Sequence, residues 1–426
     1  MNTETKVTNQ DKVEKILFWT MIVSVVTFVA ALIIYVVANW GGMFSDFAET
    51  LSYCIVKNPY TGEYGNPAIH SIYPPFAFLP FYLFALICKP ALVSYINGEM
   101  TLSQLSTNPA FVISFLLFFM ICMAIVLLLV AKMSKFKGKK LAYLLVCTFC
   151  FAPFAYCLFR GNNIIFACLL VMMFFAFTNS DKKWLREIAN LCLAGAVAVK
   201  IYPALLLLFF IKDRRFLDLV KTLIYAAILI FIPFLLIDGG FANIKEIWAN
   251  FSRFNSGEGR DAAWTNIGFD GLASKIATLM HLPIVHSLLS KLLRFGSIIV
   301  TIVALCLSKN TKHKMQPVLI TLLTYELFQG VSYAYTLTFL IIPITIYLVE
   351  FDNLTKTNKY FYGICFGLIA FPLMAGISFF FIAQLSAVCL LIKGYIDLFS
   401  DFKARVKEKK QPVPIAATDP KQNLSA

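Results

Sequence analysis

Charge is scarce in this chain. Only 14% of its 426 residues are charged, against about 25% in a typical soluble protein. With 59% hydrophobic residues and a mean hydropathy of +0.77, that shortage excludes a soluble globular enzyme. Familiar catalytic signatures are missing as well. There is no Gly-rich phosphate loop, no His-Glu-x-x-His, no nucleophile elbow and no Asp-x-Asp. The four histidines, His70, His281, His286 and His313, do not pair at ligand spacing. The eleven cysteines show no metal-ligand spacing either, and several, such as Cys147, Cys150, Cys157 and Cys168, read as small core residues. Neither a metal nor a cofactor is called for, and a soluble nucleotide-sugar site is disfavoured. No repeat of fixed period appears. The net charge of +14 does not point to nucleic acid, because the cations gather in short loops between apolar runs and in both tails.

What is present is hydrocarbon in helix-length pieces. Apolar runs occur at about 16–37, 73–94, 110–131, 141–159, 162–178, 189–211, 219–237, 284–307, 316–330, 334–350, 360–378 and 381–399. A span needs about 20 residues, and some of these runs are short or interrupted by Pro. The fold class is therefore all-α, a polytopic transmembrane helical bundle of about 10–12 membrane segments. It occupies 1–402, with two long outer loops at about 38–72 and 238–283 and a basic, disordered cytoplasmic tail at 403–426. Ile16–Val37 is too long for a signal-peptide core and reads as a retained first span. Trp248, Phe251 and Phe254 recur at helical spacing in the second loop, as in a short helix at the membrane interface or a plain aromatic belt.

Lys200 stands out. It lies in the otherwise apolar Leu191–Ile211, where a cation at membrane depth costs roughly 2.5–3.5 kcal/mol on insertion scales. Pro203 follows three residues later and breaks or kinks the helix. A buried cation beside a helix break marks a functional site by default; the competing reading is a Lys that snorkels to an interface. The basic clusters Lys182–Arg186 and Lys212–Arg215 flank this one run. Both are cytoplasmic by the positive-inside rule only if Ile188–Ile211 goes in and comes back as a bent hairpin, with Lys200–Tyr202 at its tip. Both termini are expected on the cytoplasmic side.

Two further segments carry chemistry. Asp46 follows closely on the first span, near the membrane surface and among aromatics, where a carboxylate has the makings of a general base. A solvated loop Asp is the plainer reading from spacing alone. Arg160-Gly161-Asn162-Asn163 joins two apolar runs with no further loop. Arg offers a fork of donors matched to phosphate, and Arg160 and Lys200 together could hold one at membrane depth. An ordinary interfacial Arg is the alternative.

In their order, these elements resemble the polyprenol-phosphate-sugar-dependent glycosyltransferases of the GT-C superfamily, closest to glycosyltransferase family 87. The matching elements are Asp46-Phe47, Asn58-Pro59-Tyr60, Tyr73-Pro74-Pro75 opening the second span, Gly161-Asn162-Asn163, Gly195 through Lys200 and Pro203, and Asn266 to Gly271-Leu272. They cover roughly residues 12–350. Many members carry a His, often beside a Glu, near the outer end of a later span; this chain has Gln329-Gly330-Val331-Ser332-Tyr333-Ala334-Tyr335 there, and a Tyr is not a cation at neutral pH.

The resemblance implies an inverting, mannosyltransferase-like enzyme of the cell envelope, with its active site on the outer side of the membrane. A mannose-like hexose or pentose would pass from a polyprenyl-phosphate donor to an acceptor glycan or glycolipid. Asp46 would be the base, and Arg160 and Lys200 would bind the donor phosphate. Asn58, Tyr60, Tyr73, Asn162, Asn163, Tyr202, Asn266, Tyr333 and Tyr335 would line the substrate site. Membrane lipids and the two substrates are the partners expected. The same features also admit a transporter or flippase with Lys200 at the midplane, or a lipid-binding subunit without catalysis.

Overall fold

A computed structural model describes residues 4–38, 44–61, 70–256, 265–309, 311, 314–371 and 377–410. Among the described residues the regular structure is entirely helical, with no strand. Within those residues six helices are long and apolar enough to cross a membrane, or up to eight if each of two bent pairs is one span. Three more apolar helices are shorter: Ile164–Phe177, Tyr202–Lys212 and Met315–Phe328. The polytopic helical bundle expected from the sequence is what the chain forms. Unbroken spans are fewer than the 10–12 apolar segments because several runs are cut. The 73–94 run bends by 110° between Pro75–Ile87 and Lys89–Ile96, and the 141–159 run bends by 52° between Gly138–Phe149 and Ala152–Arg160. Pro153 sits in the first turn of the latter helix, where its missing N–H is tolerated and its ring fixes a new start.

Helix ends follow local chemistry. Pro109–Ser134 begins with Pro at its first position, and the Asn108 side chain accepts from the Ala110 and Phe111 amides, so two otherwise orphaned donors are satisfied. Phe111, Phe115 and Phe118 on this helix pack around Phe47, with ring centroids 5.1–5.5 Å away. This aromatic knot anchors the short helix Ser45–Ile55, which carries Asp46, against a long span.

The Lys200 run is a hairpin. Lys183–Val199 is a regular helix; Lys200 leaves it with extended backbone (φ −147°, ψ 127°), and Tyr202–Leu207 returns as a 3-10 helix with Pro203 in its first turn. Leu208–Lys212 completes the return. Arg215 then donates to the Thr178 carbonyl at 3.1 Å and its hydroxyl at 2.7 Å, so the two basic turns lie at the same end of the bundle. The next helix, Phe216–Phe231, runs parallel to Lys183–Val199. Its Asp218 accepts from Asn190 at 3.0 Å, Lys221 pairs with Glu187, and Ala226 packs with Ala194 and Val197. The arms are unequal, 17 residues out and 11 back, rather than two matched halves. The tighter 3-10 winding rises about 2.0 Å per residue against 1.5 Å in an α-helix, which lets the shorter arm make up part of the height.

Both long loops contain helix, and the one suggested by the Trp248, Phe251 and Phe254 spacing is present. Ser45–Ile55 lies in the first, and Asn243–Ser256 and Phe269–Leu279 lie in the second. Asn243–Ser256 shows Trp248 and Phe251 outward at 71% and 42% exposure, while the Asn250 side chain turns inward to the Tyr60 and Ser71 carbonyls, both at 3.1 Å. At the other end of the chain, Ile377–Lys410 continues as helix through the segment expected to open a disordered tail; residues 411–426 lie outside the described ones.

Candidate active site

Asp46 is the second residue of its helix, and the residue before that helix, Phe44, is left-handed at φ 67°. That conformation is unusual for a bulky side chain. It lets the Phe44 amide donate to the Phe159 carbonyl at 3.1 Å, which sets the start of the Asp46 helix directly over Arg160. Gly161 makes the approach possible from the other side. Its φ is 66°, and a Cβ there would lie 2.3 Å from Phe47 Cβ, so no other residue fits this turn without displacing the helix.

The consequence is a closed carboxylate cradle. Arg160 donates from Nε to Asp46 Oδ2 at 2.8 Å and from Nη2 to Oδ1 at 2.6 Å, a fork-on-carboxylate pair. Asn162 Nδ2 donates to Oδ2 at 2.7 Å, and Ser45 Oγ reaches Oδ1 at 3.3 Å. Asn162 is itself held by its Oδ1, which accepts from the Ile164 amide at 2.9 Å. The guanidinium carbon lies 5.9 Å from the ring centroids of both Tyr156 and Tyr335, and Tyr335 stacks on Tyr333. Arg160, expected either to share a phosphate with Lys200 or to sit at the interface, is thus first the partner of Asp46.

Lys200 forms the second pole. It is buried, with its Nζ 3.3 Å from the Tyr73 hydroxyl and 4.7 Å from the Tyr73 ring centroid. No carboxylate pairs with it among the described residues. The poles lie toward one end of the bundle: Lys183–Val199 packs antiparallel to Ile164–Phe177, with Cys192 against Met173 and Gly195 against Leu170, which brings Lys200 level with the start of the latter helix, just after Arg160 to Asn163. Tyr202, beside Lys200 in sequence, stacks on Tyr325 at 5.2 Å. Asn163 keeps a buried Oδ1 with no partner among the described residues.

The remaining expected site residues have their polar groups engaged within the protein. Asn58 donates to the Asp238 carbonyl and to Asn243 Oδ1, both at 2.9 Å, and accepts from the Tyr60 amide. The Tyr60 hydroxyl donates to the Tyr73 carbonyl at 2.9 Å. Asn266 donates to the Gly330 carbonyl at 2.8 Å, and its Oδ1 accepts from the Gly268 and Ser332 amides. It latches the segment that opens Phe269–Leu279 onto the turn before Tyr333. Gly271 completes that latch, since a Cβ there would lie 2.2 Å from the Asn266 carbonyl oxygen. The Asn-x-x-x-x-Gly spacing has this packing as its physical reason.

Sequence reasoning missed two contributors to the cradle and one buried acid elsewhere in the bundle. Tyr156 lies four residues before Arg160 on one helix face, a spacing that places both at the same spot. Ser45 touches the carboxylate from the next position. Glu326 is fully buried in Met315–Phe328, and neither carboxylate oxygen has a partner among the described residues; an acid alone in the 316–330 apolar run was a visible signal.

A model of glycosyltransferase family 87 matches residues 72–328. The match covers more than half of the chain, and the chain belongs to that family. No curated protein and no solved structure gives a match.

Proposed function

We propose, with membership of this glycosyltransferase family as the premise, that the chain transfers a mannose-like hexose or a pentose from a polyprenyl-phosphate donor. The acceptor is a hydroxyl of a glycan or glycolipid, and transfer inverts the anomeric carbon. The single observation that carries the reading is the charge arrangement of the site. Asp46 is balanced by Arg160, while Lys200 has only Tyr73 as a polar partner among the described residues. These three groups sum to one positive charge, which matches the single negative charge of a phosphodiester-linked sugar lipid.

In this reading the donor phosphate sits on Lys200, and Arg160 helps from the side. Arg160 spends two of its five N–H donors on Asp46, which leaves three for a phosphate. The Asp46 oxygens already receive four contacts, about the number their lone pairs hold. The Ser45 contact at 3.3 Å is the longest of them, so an acceptor hydroxyl takes its place on Oδ1. Asp46 accepts the proton as that hydroxyl attacks the anomeric carbon. The glycosidic C–O bond to phosphate breaks, and polyprenyl phosphate leaves with one more negative charge than the donor carried. Lys200 and Arg160 face that developing charge, which is where electrostatic stabilisation counts. Asn163 Oδ1 and the Tyr333–Tyr335 stack are available to orient sugar hydroxyls and the ring face.

The positive-inside rule puts the two basic turns of the hairpin on the cytoplasmic side, so Lys200 at its tip faces the outer half of the membrane. Single Cys probes at Lys183 and Lys212 in a Cys-free chain then react only from the cytoplasm. Transfer is tested with purified protein and radiolabelled polyprenyl-phosphate sugars. The reading requires donor consumption, a labelled acceptor and release of polyprenyl phosphate. Movement of intact donor across the bilayer without consumption would replace it with the flippase reading.

A further inference from the structure

At the far end of the bundle lies a second polar feature that the transfer reaction does not use. Pro109–Ser134 runs from the Phe47 knot beside Asp46 to Lys132; the 21 steps from Phe111 to Lys132 span about 31 Å of helix. Ile164–Phe177 likewise leads from Asn163 to Thr178. Between these far ends and the Phe209–Arg215, Lys314–Val318 and Ile346–Glu350 segments is a cavity of about 930 Å³.

Its lining is split by chemistry. Five cations face it, Lys132, Lys135, Lys212, Arg215 and Lys314, against two carboxylates, Asp213 and Glu350. Lys212 pairs with Asp213 at 2.9 Å. Arg215 is fixed by Asp218 and Thr178 through Nε and Nη1, yet its Nη2 is buried without a partner among the described residues. A held guanidinium with one unsatisfied donor group is a preformed anion contact. The rest of the wall is hydrocarbon: Phe174, Phe175, Phe209, Phe210 and Pro317, with Val349 at 44% exposure. A free polar anion gains nothing from that half.

We infer that this cavity binds the phosphate head of an anionic lipid, with the head on Arg215, Lys132 and Lys314 and the start of a hydrocarbon chain against the phenylalanines. Basic pockets between membrane helices suit such head groups. A membrane phospholipid and a polyprenyl phosphate share this chemistry, and the test separates them. The site stands apart from the Asp46 pole and does not depend on the transfer reading.

The test titrates the purified full chain in zwitterionic detergent. The probes are dioleoyl phosphatidate, a long-chain polyprenyl phosphate and inorganic phosphate, with dioleoyl phosphatidylcholine as the neutral control. Each titration is run on wild type, on Lys132→Gln/Lys314→Gln and on Lys200→Met. At roughly one kcal/mol per surface cation, losing two weakens lipid-phosphate binding about thirtyfold. Both side chains are exposed, so the melting temperature stays put, and Lys200→Met leaves this site intact. Phosphatidate binding that depends on the two lysines identifies a phospholipid site. Dependence seen with polyprenyl phosphate alone identifies a site for the carrier lipid. Equal affinity of the double variant and wild type for every lipid phosphate overturns the inference. So does phosphatidylcholine binding as tightly as phosphatidate, or inorganic phosphate binding as tightly as the lipids.

Discussion

Arg160 and Lys200 are two cations set among apolar surroundings, and the protein treats them differently. Arg160 is forked onto Asp46 and flanked by Tyr156 and Tyr335. Lys200 is buried at a helix break against Tyr73, with no ion-pair partner among the described residues. The first charge is neutralised within the protein by Asp46. No carboxylate pairs with the second among the described residues, and in the proposed reading it is left for the donor phosphate. A charged group at membrane depth is costly, so this asymmetry has a functional reading: the ligand completes the Lys200 pole.

Breaking the Arg160 side has the largest expected effect. Asp46→Asn keeps the shape but cannot accept a proton, and turnover falls by roughly two to four orders of magnitude. It also strips Arg160 of its counter-charge. We expect a lower melting temperature, a loss of about 2 kcal/mol, less than for a fully buried pair because both side chains keep some exposure. Adding Arg160→Gln restores part of that stability and none of the turnover, as thermal unfolding and transfer assays will register. Turnover near wild type in Asp46→Asn removes the base from the mechanism.

Gly161→Ala attacks the same pole through the backbone. The new Cβ meets Phe47 at 2.3 Å in a left-handed turn, so the cradle opens and turnover drops at least a hundredfold while the bundle stays helical by circular dichroism. A fully active Ala variant means the turn does not position Asp46.

The Lys200 side is sharpened by Tyr73. Tyr73→Phe keeps the ring under the ammonium and removes only a hydrogen bond at 3.3 Å; donor affinity changes no more than about threefold. Tyr73→Leu removes both and weakens donor binding by about tenfold. Equal effects of the two variants would show that the ring contributes nothing. The smallest change is Ser45→Ala. Its hydroxyl holds the place assigned to the acceptor, so KM for acceptor stays level or falls slightly with kcat little altered.

The sequence made one pole more legible than the other. Lys200 announced itself through local features: a charge in an apolar run, Pro203 beside it, and basic clusters at both ends that demand a return. The hairpin followed from those. The Asp46–Arg160 pair did not, because the partners are 114 residues apart and meet only through the left-handed Phe44 and the absent side chain of Gly161. Neither is visible in hydropathy, and a solvated carboxylate was the plainer reading of Asp46. Asn266 was legible as part of a motif, but not as a latch, since its partners are backbone groups near Gly330 and Ser332. The bent pairs at 75–96 and 138–160 were read as simple runs because composition records apolar length and not direction.

The central claim is that Lys200 is the cation kept for the donor phosphate. Its most direct test is equilibrium binding of a polyprenyl-phosphate sugar to purified wild type and Lys200→Met. The substitution preserves length and apolar character, so folding and insertion are retained or improved. Removing one charged contact to a phosphate weakens donor binding by about 1.5–3 kcal/mol, roughly ten- to a hundredfold. Donor affinity unchanged in Lys200→Met would mean that Lys200 holds no phosphate, and the account of the site would fail.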